Sequence, residues 1–214
     1  MSSLVDPFVQ LADLGGPVLV ILLFVSVGTL ALILRKAWQY QTARVGQGGH
    51  IRDALSKWEP SDTAAALHAL EGSRHFLAPV IDQAMSAHAT PGLRERFEAE
   101  AEQKILPLEK GFRILDTVAQ LAPLLGLLGT VLGMIEAFQA LQAAGSQVDP
   151  SALAGGIWVA LLTTAAGLAV AMPTSMALSW FEARIDGERA LADYALTVID
   201  TPGLVRNESA AEGT

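Results

Sequence analysis

The chain has no cysteine. Disulfides and thiolate metal sites are closed to it. Zinc or a similar ion would fall to four histidines, His50, His68, His75 and His88, and no pair of them has metal-motif spacing. They read as solvated helix-surface residues, and neither a metal nor any other cofactor is expected. Phosphate-cradling glycine loops and Gly-x-Ser-x-Gly elbows are also missing, so no residues support an enzyme. A net charge of −8, with no basic and aromatic stripe, excludes nucleic acid as a partner.

The most informative absence is local. Residues 14–34, 117–135 and 150–181 hold no Asp, Glu, His, Lys or Arg, in a chain of 214 residues with a mean hydropathy of +0.40. Crossing ~30 Å of hydrocarbon takes roughly 20 apolar residues in a helix. Each run reaches or exceeds that length, so lipid bilayer is the expected surroundings. The first run follows two aspartates, Asp6 and Asp13, and no basic residue. No small-residue cleavage site follows a short apolar core, so it reads as a permanent span rather than a removed signal peptide.

Basic residues are absent before Arg35 and again between Arg113 and Arg184. All 14 therefore fall on one side of a three-span arrangement, and the positive-inside rule makes that side cytoplasmic. The expected order is an outer segment 1–13, transmembrane helices at 14–34, 114–141 and 152–181, a cytoplasmic helical region 35–113, an outer loop 142–151, and a cytoplasmic extension with a disordered tail over 182–214. The fold class is an all-α membrane protein.

Local signals refine this order. Gly46, Gly48 and Gly49 mark a turn, Ser61 or Asp62 is placed to cap a short helix that stops at Gly72, and Thr90-Pro91 opens a longer one. That longer helix runs toward the second span without a convincing stop, and Pro107 and Pro123 are expected to bend it rather than end it. The third helix should continue past its span to Pro202. The result would be a hairpin of two very long helices beside a shorter one.

Small residues recur along the second and third spans. Ala119, Ala122, Gly126, Gly129, Gly133, Ala137 and Ala140 follow one another at three- and four-residue steps, as do Gly156, Ala160, Thr163 or Thr164, Gly167 and Ala171. Such stripes let membrane helices approach closely, and they read as packing faces. Thr130, Thr163 and Thr164 interrupt the stripes with hydroxyls. Thr130 precedes Leu141 by eleven residues and Thr164 follows Leu153 by eleven, which sets both about 16 Å below the outer turn. Each hydroxyl can bond back to its own helix or belong to a polar ring that lines a wet path. Neither span has a titratable group at that depth; Asp116 and Glu136 lie near the ends of the second. If protons pass here, another chain must bring the carboxylate.

APLLGLLGTVLGMIEAF, followed after a short loop by GGIWVALLTTAAGLAVAMP, resembles the membrane hairpin of the ExbB/TolQ/MotA proton-channel family, most closely its ExbB and TolQ branch. The resemblance is strong over about residues 100–181. It implies a homo-oligomer, a pentamer in the family, in the bacterial inner membrane. That ring would surround the single spans of an ExbD- or TolR-like partner whose membrane aspartate takes up and releases protons. Proton flow would then drive a TonB- or TolA-like force transmitter. Carried over by motif, Thr130 and Thr164 match pore-facing threonines, with Thr163 beside them. The family pattern G-I-x-E-A-L reads Gly156-Ile157-Trp158-Val159-Ala160-Leu161 here, so Val159 stands where a Glu is usual. That departure keeps a second reading open, a non-conducting structural scaffold of such a complex. A flagellar-type stator would have a fourth span and a larger charged domain, for which this chain has no room.

Overall fold

In a computed structural model, residues 6–58, 62–87, 92–144 and 150–201 are described. They form α1 (Asp6–Ala43), α2 (Gly49–Trp58), α3 (Thr63–Leu70), α4 (Ala78–Ala87), α5 (Arg94–Glu109), α6 (Phe112–Ala144) and α7 (Pro150–Asp200), with no strand among them. The protein is an all-α membrane protein: Gly16–Ala43, Phe112–Ala143 and Leu153–Asp200 are each long and apolar enough to cross a bilayer. The chain forms two compact units. One takes residues up to Leu34 and Gly111–Ser179, and the other takes Arg35–Lys110 and the chain from Trp180 onward.

In the first unit, α1 is broken at Gly16, whose φ of 67° lies in the left-handed region. Pro17 follows, lacking an N–H and pushing its predecessor out of helical geometry, so the apolar helix begins there. Val18 and Leu22 then pack on Ala122 of α6 and Ala171 of α7. Most large apolar side chains of the three helices point away from this thin core. Phe24, Leu30, Leu124, Leu127, Trp158 and Leu161 are all more than half exposed, as expected where the surroundings are lipid or other membrane helices rather than water.

The second unit has a core of the kind found in soluble proteins. Ile51, Leu55, Trp58, Ile81, Met85 and Leu196 are nearly inaccessible, and they join α2, α4 and the end of α7. Asp62 caps α3, accepting from the Ala65 N–H at 3.1 Å; Ser61 lies outside the described residues. So do Thr90 and Pro91. α5 itself starts at Arg94, after Gly92 at φ +83°.

The structure corrects two expectations. The long second helix is divided, because Lys110 leaves helical geometry with ψ 122° and Gly111 adopts φ +100°. A glycine amid helix formers was the available sign. The divide is capped from α1: the buried Lys36 Nζ donates to the Leu108 carbonyl at 2.7 Å, and Tyr40 Oη lies 3.4 Å from the same oxygen. Those contacts satisfy carbonyls that a helix end leaves unpaired.

The second correction concerns His75. It is buried rather than solvated, with its Nε2 3.1 Å from Glu188 Oε2 and both side chains almost wholly enclosed. Its Nδ1 accepts from the Leu77 N–H at 3.3 Å, while Nε2 and the facing Glu188 oxygen are in contact without hydrogen-bond geometry. Glu188 Oε1 accepts from the Gly46 N–H. Three separated stretches of chain are thus tied by one carboxylate. His50 and His68 are exposed as expected, and His88 lies outside the described residues.

Candidate functional site in the membrane hairpin

The seam between α6 and α7 is close enough that backbones touch. A Cβ on Gly126 would lie 2.8 Å from the Thr163 carbonyl, and one on Gly167 would lie 2.5 Å from the Ala122 carbonyl. Gly129 faces the Thr163 side chain, Gly133 faces Ala160, and Gly156 faces Ala137. Ala171 lies in the small cluster with Ala122. The small residues therefore pair within one chain. Each step forward on α6 is a step back on α7: Gly133 meets Ala160, Gly129 meets Thr163, and Gly126 meets Thr164 and Gly167, so Thr130 lies beside the Thr163 level and about one turn from that of Thr164.

The three hydroxyls do not share one environment. Thr163 is 1% exposed, and its Oγ1 donates to Ala160 O at 2.7 Å and lies 3.2 Å from Gly126 O. A side chain this enclosed cannot face a wet path, so Thr163 stands with the packing residues rather than with a pore lining. Thr164 Oγ1 donates across the seam to Gly126 O at 3.2 Å and remains half-buried. Thr130 Oγ1 donates to Leu127 O of its own helix at 2.7 Å and is also partly open. Back-bonding at Thr130 does not use up the hydroxyl, because a donating O–H keeps lone pairs that can accept a proton donor. Val159 is half-buried, with the exposed Ile157 and Trp158 before it.

Charge stays at the ends. Asp116 accepts from Gln120 Nε2 at 2.7 Å on an exposed face, and Glu136 is exposed. Among the described residues no group of His, Asp and Glu could hold a metal. The site therefore offers hydroxyl oxygens within about one helical turn of each other and no titratable group of its own there.

Residues 68–193 match the model of the MotA/TolQ/ExbB proton channel family. The chain belongs to this family. Relatives place it on the ExbB side. It is 32% identical over 204 residues to a protein from Synechocystis called putative biopolymer transport protein ExbB-like 1, covering 91% of this chain and 76% of the relative. It is 29% identical to biopolymer transport protein exbB1 of Vibrio cholerae, over 94% of this chain and 88% of that one. Biopolymer transport protein ExbB of Neisseria meningitidis is 30% identical, over 78% of this chain and 83% of its own. The matched residues include all of α6 and most of α7, the helices that carry Thr130, Thr163 and Thr164.

Proposed function

We propose that the protein is the multi-span subunit of an inner-membrane proton channel that turns proton-motive force into work on transport or another envelope process. Copies of the chain, five in this reading, surround the single span of an ExbD- or TolR-like partner, and a TonB- or TolA-like protein receives the force. Thr130 and Thr164 face the partner's aspartate, accept a hydrogen bond from its protonated form, and order water beside it. The observation that carries this reading is two part-open hydroxyls within about one helical turn of each other along a hairpin with no titratable group there. Gly126, Gly129, Gly133, Gly156, Ala160, Gly167 and Ala171 hold the pair of helices that presents them. Co-expression with such a partner tests the proposal: a complex should co-purify, and vesicles containing both chains should take up protons while this chain alone does not.

The orientation is part of the same proposal, with the N-terminus outside and both 35–113 and 182–214 cytoplasmic. In intact cells, Gln147→Cys should react with a membrane-impermeant thiol reagent and Gln47→Cys should not, because every basic residue lies on the Gln47 side. Labelling at position 47 from outside would reverse the assignment. Gln147 lies outside the described residues, whereas Gln47 is exposed.

Val159 favours a second reading, a scaffold that holds partners without conducting. An apolar, half-buried residue there gives a proton no stopping place. Val159→Glu should then lower assembly or change activity, since a charge deep in a span costs about 2–3 kcal/mol unless it meets water or a polar partner. Unchanged assembly and activity would mean that the position is wet and that its valine has no bearing on conduction.

A further inference from the structure

The second unit holds a polar cleft of about 190 Å³ between the turn after α1 and α7. Gly46, Gly48 and Gly187 form much of its wall, so little side-chain bulk fills it, and Arg52 and Arg184 both line it. Gly46 sits at φ +82°, and the Arg184 guanidinium occupies the place that a Cβ there would take. Glu188 is the one acid in the lining. Its two oxygens lie against Gly46 N–H and His75, and the side chain is almost wholly enclosed. Among the described residues, neither Arg52 nor Arg184 forms an ion pair. Two guanidinium groups opposite glycine backbone suit a tetrahedral oxyanion, since each presents a planar fork of donors.

The position says where that anion comes from. Arg184 lies 5.2 Å over the ring of Trp180, which is half exposed. Trp180 and Phe181 end the uncharged run of the third span, and Arg184 follows Phe181 by three residues, roughly 5 Å along the helix. Tryptophan and arginine at that level meet lipid headgroups. We propose that this cleft binds the phosphate of an anionic phospholipid. The proposal rests on the membrane placement of α7 and is separate from proton conduction, so either can fail alone.

The test uses the full chain in nanodiscs of phosphatidylglycerol or phosphatidylcholine, read by amide hydrogen exchange over residues 44–52. Exchange should slow in phosphatidylglycerol relative to phosphatidylcholine. Arg52→Gln or Arg184→Gln should raise the fraction of phosphatidylglycerol needed for half-protection about tenfold, the loss of one charge-assisted hydrogen bond. A third arm adds inorganic phosphate to phosphatidylcholine discs. Protection there, without protection in phosphatidylglycerol, assigns the cleft to free phosphate and overturns the lipid assignment. Equal exchange of the wild type in all three arms overturns the site itself, as does protection that persists in the double arginine variant. The wild-type comparison needs no variant, so a misfolded substitution leaves the proposal open to refutation.

Discussion

Gly167→Leu is expected to abolish the folded hairpin. The Cβ of any larger residue at this position would be driven to 2.5 Å from the Ala122 carbonyl oxygen and 3.1 Å from Gly126 Cα. Both are backbone atoms, so no rotamer change relieves the overlap and the helices must separate. Separation also pulls the Thr163 and Thr164 hydroxyls from Gly126 O. Packing is the main attraction between helices where lipid is as apolar as the side chains, and nothing replaces it when the seam opens. In mild detergent the variant should yield aggregate or protease-sensitive chain instead of a defined oligomer. Gly133→Ala is the contrast. Its nearest neighbour is Ala160 Cβ at 3.2 Å, a side-chain contact that a few tenths of an ångström would relax, and it should remain folded. A stable, normally assembled Gly167→Leu protein would show that the seam is looser than described.

Glu188→Ala should unfold the second unit at milder conditions, by about 3 kcal/mol, because it removes the enclosed charge that faces His75 and takes the acceptor from the Gly46 N–H. Glu188→Gln should fall between the two. Its amide keeps one oxygen for Gly46 but removes the charge that faces His75. Hydrogen exchange over 44–52 and 71–78 measures this, and local opening should rise there before the membrane helices respond. Equal protection in wild type and Glu188→Ala would mean that the carboxylate contributes little.

The membrane part was legible because its signals are dense and one-dimensional. Runs free of charge define spans, and small residues at three- and four-residue steps define the faces that touch. Gly126, Gly129, Gly133, Gly156 and Gly167 each face the other helix of the pair. Thr163 was not separable from Thr164, because adjacent residues on a helix differ by about 100° and sequence does not say which of the two meets the neighbour. The second unit was less legible. Its stretches from 35 to 110 are short and only partly apolar, and their core needs the end of α7, far away in sequence. His75 therefore looked like a surface residue until Glu188 was placed beside it. Lys36 counted as one cytoplasmic cation among many, whereas its ammonium closes a helix end at Leu108. The divide at Gly111 was the one such feature with a local sign, a glycine after Lys110.

In the proposed channel the Thr130 and Thr164 oxygens serve a proton path. Thr→Val keeps the shape and deletes the hydroxyl. A purely structural loss at Thr130 or Thr164 should cost about 1 kcal/mol, which leaves assembly intact. The measurement is proton uptake by vesicles that contain the chain and its partner at matched complex levels, for wild type, Thr130→Val, Thr164→Val and the double variant. A hydroxyl that contacts a titrating carboxyl should lower the rate about tenfold when removed, with the double variant slower than either single one. Full proton uptake by both single variants would contradict the account and leave these threonines as packing residues of a scaffold.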